Sequence, residues 1–140
     1  MTSKTLQQST HQHLSSLRNK LLRLHLVLLE MERTTYEQVH GRVTGGELLQ
    51  LVIHHEQFAW LHRISELVVR IDEMLHADEP LLPDDVQKLI AYTRTLLTPS
   101  ETGNVFESKY YNALQHEPTA VLAHVEVSKL LTSDVQDSSK

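Results

Sequence analysis

The sequence predicts an all-α protein: an up-down helical bundle with two long antiparallel helices and two or three shorter ones. Three observations carry that expectation. Leucines recur at steps of three and four through the first third of the chain, the spacing of an amphipathic helix. Four Gly and four Pro in 140 residues supply too few turns for an all-β fold. A glycine followed by a capping box separates two long periodic segments, so the corner between them is marked as well. The chain length suits a single domain, 1–140, able to bury about two thirds of its unfolded surface in one core.

The first helix is expected from about Thr10 to His40, with Leu14, Leu17, Leu21, Leu24, Leu28 and Met31 forming its seam. Gly41 stands where a left-handed C-terminal cap would sit. Thr44 and Glu47 have capping-box spacing, and Val43 with Leu48 can supply the hydrophobic staple. So short a turn makes the two helices antiparallel neighbours. The second helix then runs from about Gly45 to His76, placing Ile53, Trp60, Ile64, Leu67, Ile71 and Met74 on one stripe. Two helices of about 30 residues would each reach about 45 Å, well beyond the others.

Pro80 breaks the pattern, and Pro83 suits a first helical position, with Asp84 and Asp85 complementing the N-terminal dipole. Val86, Leu89, Ile90, Leu96 and Leu97 make the third helix amphipathic. Thr98 and Glu101 offer a second capping box. A fourth helix, Val105 to His116, presents Phe106, Tyr110, Ala113 and Leu114. Pro118 opens a last one through Val121, Leu122, Val125, Leu130 and Leu131. Residues 1–9 and 133–140 are polar and read as frayed tails.

Thirteen basic against eighteen acidic side chains give a formal charge of -5, which repels a phosphate backbone and argues against nucleic acid as a partner. Seven aromatics, not interleaved with basic residues, make no base-stacking platform. No apolar span long enough for a membrane and no signal-peptide pattern are visible, so a cytoplasmic location is expected. The absence of cysteine removes thiolate metal sites and thiol nucleophiles. Neither a Gly-x-Ser-x-Gly elbow nor a phosphate loop occurs. Ten histidines are the compositional outlier.

Three site candidates emerge. Arg18, His25 and Glu32 recur every seven residues between two hydrophobic rows of the first helix. Buried charges need partners, so this stripe reads either as a register-fixing polar layer or as a small-molecule or acid–base site. On the second helix Leu51, Phe58 and Val69 form an apolar row away from the main stripe; it suits a two-fold homodimer contact or an internal packing face. The third candidate is a metal centre of hemerythrin or ferritin type. Two Glu-x-x-His pairs exist, Glu37 with His40 and Glu73 with His76, but antiparallel helices put them at opposite ends of the bundle. His62 with Glu66, and His25 with Glu30, approach ligand spacing. No metal or other cofactor is expected as the leading reading.

The stretch GELLQLVIHHEQFAWLHRISELVVRIDE, preceded by MERTTYEQVHGRVTG, resembles a family of small bacterial all-helical proteins without an assigned activity. The resemblance spans about Leu21 to Leu131. It implies a bacterial, cytosolic, stand-alone domain and carries no catalytic residue across. The expectation is a non-enzymatic homodimeric interaction or regulatory module, with a protein partner and no membrane or nucleic-acid ligand; a metal-binding bundle is the alternative.

Overall fold

The computed structural model describes residues 2–132, with side chains from residue 7 onward. Its elements are α1 (Thr2–His40), α2 (Gly45–His54), a 3₁₀ segment (Glu56–Leu61), α3 (His62–Leu75), α4 (Pro83–Leu96), α5 (Val105–His116) and α6 (Pro118–Thr132), with no strand among the described residues. The fold is all-α. No helix among the described residues is long and apolar enough to cross a membrane.

α1 is the spine. Its 39 residues reach about 58 Å, and α3 and α6 pack along it. Leu14, Leu17, Leu21, Leu24 and Leu28 are fully buried, as their spacing requires. The helix starts at Thr2 rather than near Thr10. Gln7 explains part of that: its Nε2 donates to Leu81 O at 2.9 Å while Leu81 N–H donates to Gln7 Oε1 at 3.1 Å. This tertiary amide pair ties the polar first turns to the α3–α4 loop. The segment after Thr132 lies outside the described residues.

At the other end Gly41, at φ 85, donates its N–H to Glu37 O and so stops α1. Glu37 Oε2 accepts Val43 N–H at 2.9 Å, and Arg33 donates to Val43 O at 3.3 Å. A pair one turn apart on α1 thus clamps the corner. The Thr44–Glu47 capping box then starts α2 with both reciprocal bonds formed.

The second rod is not continuous. His55 is extended at φ -87, ψ 134 and ends α2, and its Nδ1 accepts Gln57 N–H to cap the 3₁₀ segment. Phe58 and Trp60 would point about 200° apart on one α-helix, yet both are buried. The 3₁₀ segment resolves that conflict by changing the helical phase. Consequently Ile53 leaves the predicted stripe and is 49% exposed, whereas Ile64, Leu67 and Ile71 of α3 face the core.

α4 buries Val86, Leu89, Ile90 and Leu96, the set its periodicity indicated. The Thr98–Glu101 box does not form; Asn104 and Glu107 make the capping box instead, starting α5 at Val105. On α6 the buried residues are Ala120, Ala123, Val127 and Leu131, while Val121, Leu122 and Val125 are exposed. Small side chains let α6 lie close against α1, α4 and α5, and the bulkier aliphatics are turned out.

A Cβ at Gly41 meets nothing within 4 Å, so Gly41→Ala is opposed only by its positive φ. Urea unfolding is expected to show a loss of about 1 kcal/mol for G41A, against no loss beyond about 0.5 kcal/mol for Gly46→Ala, which stays within the helix.

Candidate functional site

The residues that set the α1–α3 seam are polar. Arg18, His25 and Glu32 lie about 10 Å apart along α1, and they form no network with one another. Arg18 and Glu32 each find a partner across the seam, and His25 does not. Arg18 Nε donates to Asp72 Oδ1 at 2.5 Å, with both side chains about a third exposed. His25 faces His62 and buries its Nε2 without a hydrogen-bond partner.

Glu32 is the only charged residue type buried among the described residues, at 8% exposure. Trp60 Nε1–H donates to its Oε2 at 2.8 Å, and Gln57 Nε2–H donates to its Oε1 at 2.8 Å. The local reason is geometric. Gln57 and Trp60 are three residues apart on the 3₁₀ segment, and in such a helix side chains at i and i+3 eclipse. Two donors therefore converge on one carboxyl group. Beside it, Tyr36 of α1 packs against His55 and Phe58, and Phe106 of α5 packs against Trp60 at a centroid distance of 5.5 Å.

A second cluster joins α5 to α6. Tyr110 Oη lies 2.6 Å from His124 Nδ1, and Ser128 Oγ lies 3.4 Å from His124 Nε2. The order Tyr, His, Ser resembles a nucleophile with its base, so the protonation of each group matters. Burial pushes the Tyr110 phenol up, so it stays neutral beside Nδ1 and supplies no phenolate. Burial also lowers the His124 pKa, which disfavours the imidazolium that a serine proton transfer would create. The 3.4 Å from Ser128 Oγ to Nε2 is long for a hydroxyl bonded to its base, and the arrangement works as a polar bond between helices.

The metal candidates are dispersed. His62 Nε2 donates to Val52 O at 2.6 Å, satisfying a terminal carbonyl of α2; Glu30 pairs with Arg33; Glu66 is exposed. Glu37 belongs to the corner clamp. His40, His76 and His116 each turn Nδ1 to the carbonyl four residues back, at the ends of α1, α3 and α5. Among the described residues no three His, Asp or Glu stand where they would hold one metal ion.

No protein-family model, curated protein or solved structure matches the chain. The site is therefore read from its own geometry.

The predicted interface row is split by the break at His55. Leu51 is half-buried on α2, Phe58 is fully buried in the core, and Val69 is 55% exposed on α3. They share no face. Neither the pairing of Glu32 with Trp60 and Gln57 nor the Tyr110–His124 bond follows from the sequence reading. The latter had a signal: residues 110 and 124 stand symmetrically about Glu117, the residue between α5 and α6.

Trp60→Phe keeps an aromatic ring but leaves Glu32 Oε2 buried without its donor, and is expected to cost about 2 kcal/mol in urea unfolding. Glu32→Ala strands two donors and leaves a cavity, for a loss of about 3 kcal/mol. Losses within about 0.5 kcal/mol for both would show that the buried carboxyl contributes nothing.

Burial holds the His25 pKa below its ordinary 6.5, with His62 adding to the effect, and burial also lowers that of His124. The unfolded chain then binds protons first as pH falls. Stability at these two sites is complete above pH 6.5 and declines below it until the folded-state values are reached. Thermal melts from pH 7.5 to 5 should show a falling midpoint, with a shallower slope in His25→Gln. Glu37, held down first by the Val43 N–H, and Glu126, held down first by Lys129, act in the separate window below 4.5.

Proposed function

We propose that the protein is a non-enzymatic, cytosolic interaction module that works as a homodimer, with α2 at the contact. One observation carries this reading. α2 has ten residues, of which none is buried, and its sequence is GGELLQLVIH. An isolated helix of that length is marginal in water. Leu48, Leu51 and Val52 lean on the core, but Leu49 and Ile53, one turn apart, are 56% and 49% exposed.

The second copy is the occupant that fits. The outer face formed by Gly46, Leu49, Gln50 and Ile53 carries no charge, whereas the chain as a whole is at -5. Two copies repel over most of their surfaces and meet without like-charge cost here. α2 against α2 about a two-fold axis is self-complementary and closes at two subunits. A contact between α2 and the exposed Leu122 region of α6 would instead be head-to-tail and would propagate.

Sedimentation equilibrium at tens of micromolar is expected to give twice the chain mass. Leu49→Glu should yield a monomer of unchanged helical content, while Leu122→Glu stays dimeric. A monomeric parent chain, or dimer loss in L122E and not in L49E, would overturn the reading.

A further inference from the structure

The outer side of the Trp60 site opens on a groove of about 660 Å³ between the 3₁₀ segment and α5, lined by Gln57, Ala59, Trp60, Val105 and Phe106 with Glu56, Arg63 and Lys109. We propose that this groove binds a small organic carboxylate with an apolar body. The volume falls in the range of small-molecule sites. Trp60 and Phe106, buried and in contact, form an apolar base. The indole is held in place from behind by Glu32, so the base is rigid before any ligand arrives.

The charge around the groove selects the ligand's sign. Arg63 comes from α3 and Lys109 from α5, and neither has an acidic partner among the described residues. Arg23, Arg42, Arg70, Lys88 and Arg94 also have no carboxylate partner among the described residues; what sets Arg63 and Lys109 apart is that both line one groove. Lys20, Arg18, Arg33 and Lys129 all have carboxylate partners. Glu56 also lines the groove, and the two cations outweigh it. Val105 and Phe106 are the first residues of α5, after the Asn104 cap, and the Glu107 carboxylate already complements that helix end, so the positive charge at the groove comes from the two side chains. A carboxylate head set against Arg63 and Lys109 leaves its hydrocarbon part over Trp60, Phe106 and Val105.

The other groove of the same volume, alongside α1 and the start of α6, is lined by Arg23, Glu30 and Glu117 among others. Its acids outnumber its base, and it offers no such selection.

The chain supplies its own reporter, because Trp60 is its only tryptophan. Octanoate titrated into the full-length protein at low salt should shift Trp60 emission saturably. Octanamide, of the same shape without the charge, should bind about tenfold more weakly or worse. Arg63→Ala and Lys109→Ala should each weaken octanoate binding about tenfold, and Arg63→Lys with Lys109→Arg should retain it. Both positions lie at the groove rim, and circular dichroism checks that the variants keep their helices.

The inference does not rest on the dimer reading: L49E is expected to bind octanoate as the parent does, so loss of one leaves the other standing. Equal binding of octanoate and octanamide, indifference to both alanine substitutions, or no saturable emission change up to millimolar octanoate would each overturn the proposal.

Discussion

The structure turns on one buried carboxyl group. Glu32 sits in the α1 seam, where an aliphatic residue would pack without further demand, and its two oxygens need donors. The donors come from a single short segment. In an α-helix Gln57 and Trp60 would diverge by about 60°, whereas the 3₁₀ geometry of Glu56–Leu61 stacks them over the same point. Local strain in the helix is thus offset by two tertiary hydrogen bonds. The consequences spread outward from there. The change of phase at His55 buries Phe58 and Trp60 together, releases α2 from the α1 seam, and leaves its outer aliphatic face uncovered. The indole fixed by Glu32 in turn makes the base of the groove on the far side.

Much of this fold was legible because helices announce themselves locally. The leucine seam, the left-handed Gly41, the Thr44–Glu47 box, and the prolines at the starts of α4 and α6 all act within one or two turns. Even the pairing across the seam was implicit. The tertiary pairs Gln7–Leu81, Arg18–Asp72 and Glu32–Trp60 are centred on residues 44, 45 and 46, at the corner that the capping box marks. Folding the chain about Gly45 would have set Glu32 opposite Phe58 and its neighbours. The break at His55 was not legible. No Pro or Gly lies near it, and VIHHEQFAWL reads as an unbroken helix until the demand of Glu32 is known. That demand is tertiary, and it overrides a local propensity that favours continuation.

The last helix shows the converse error. Hydrophobicity alone assigned Val121, Leu122 and Val125 to the core, but α6 buries Ala120 and Ala123. A helix packed among α1, α4 and α5 is limited by how near its axis can approach them, and alanine permits the close approach. Alanine is weakly hydrophobic, so a reading weighted by apolar area ranks it below valine and leucine even where shape decides. The chain therefore keeps two aliphatic surfaces, one on α2 and one on α6, that its internal packing does not use.

The polar residues of α1 also answer a question that its leucines cannot. A seam of leucines at steps of three and four looks nearly the same after a slip of two turns, so apolar packing distinguishes poorly between α1–α3 registers. Arg18, His25 and Glu32 repeat with that same spacing of seven, yet they differ in charge, and so do the residues opposite them. Sliding α1 one way by seven residues would set Arg18 against His62 and replace the Arg18 guanidinium opposite Asp72 with His11; sliding it the other way would carry Glu32 to His62 and strand the Trp60 and Gln57 donors in the core. Each slip keeps leucine at three of the five buried seam positions, bringing in Gln7 and Thr10 or Met31 and Thr35 at the others, and breaks both polar pairings. Register is thus specified less by the strength of any one bond, which for the partly exposed Arg18–Asp72 pair is small, than by the cost of every alternative.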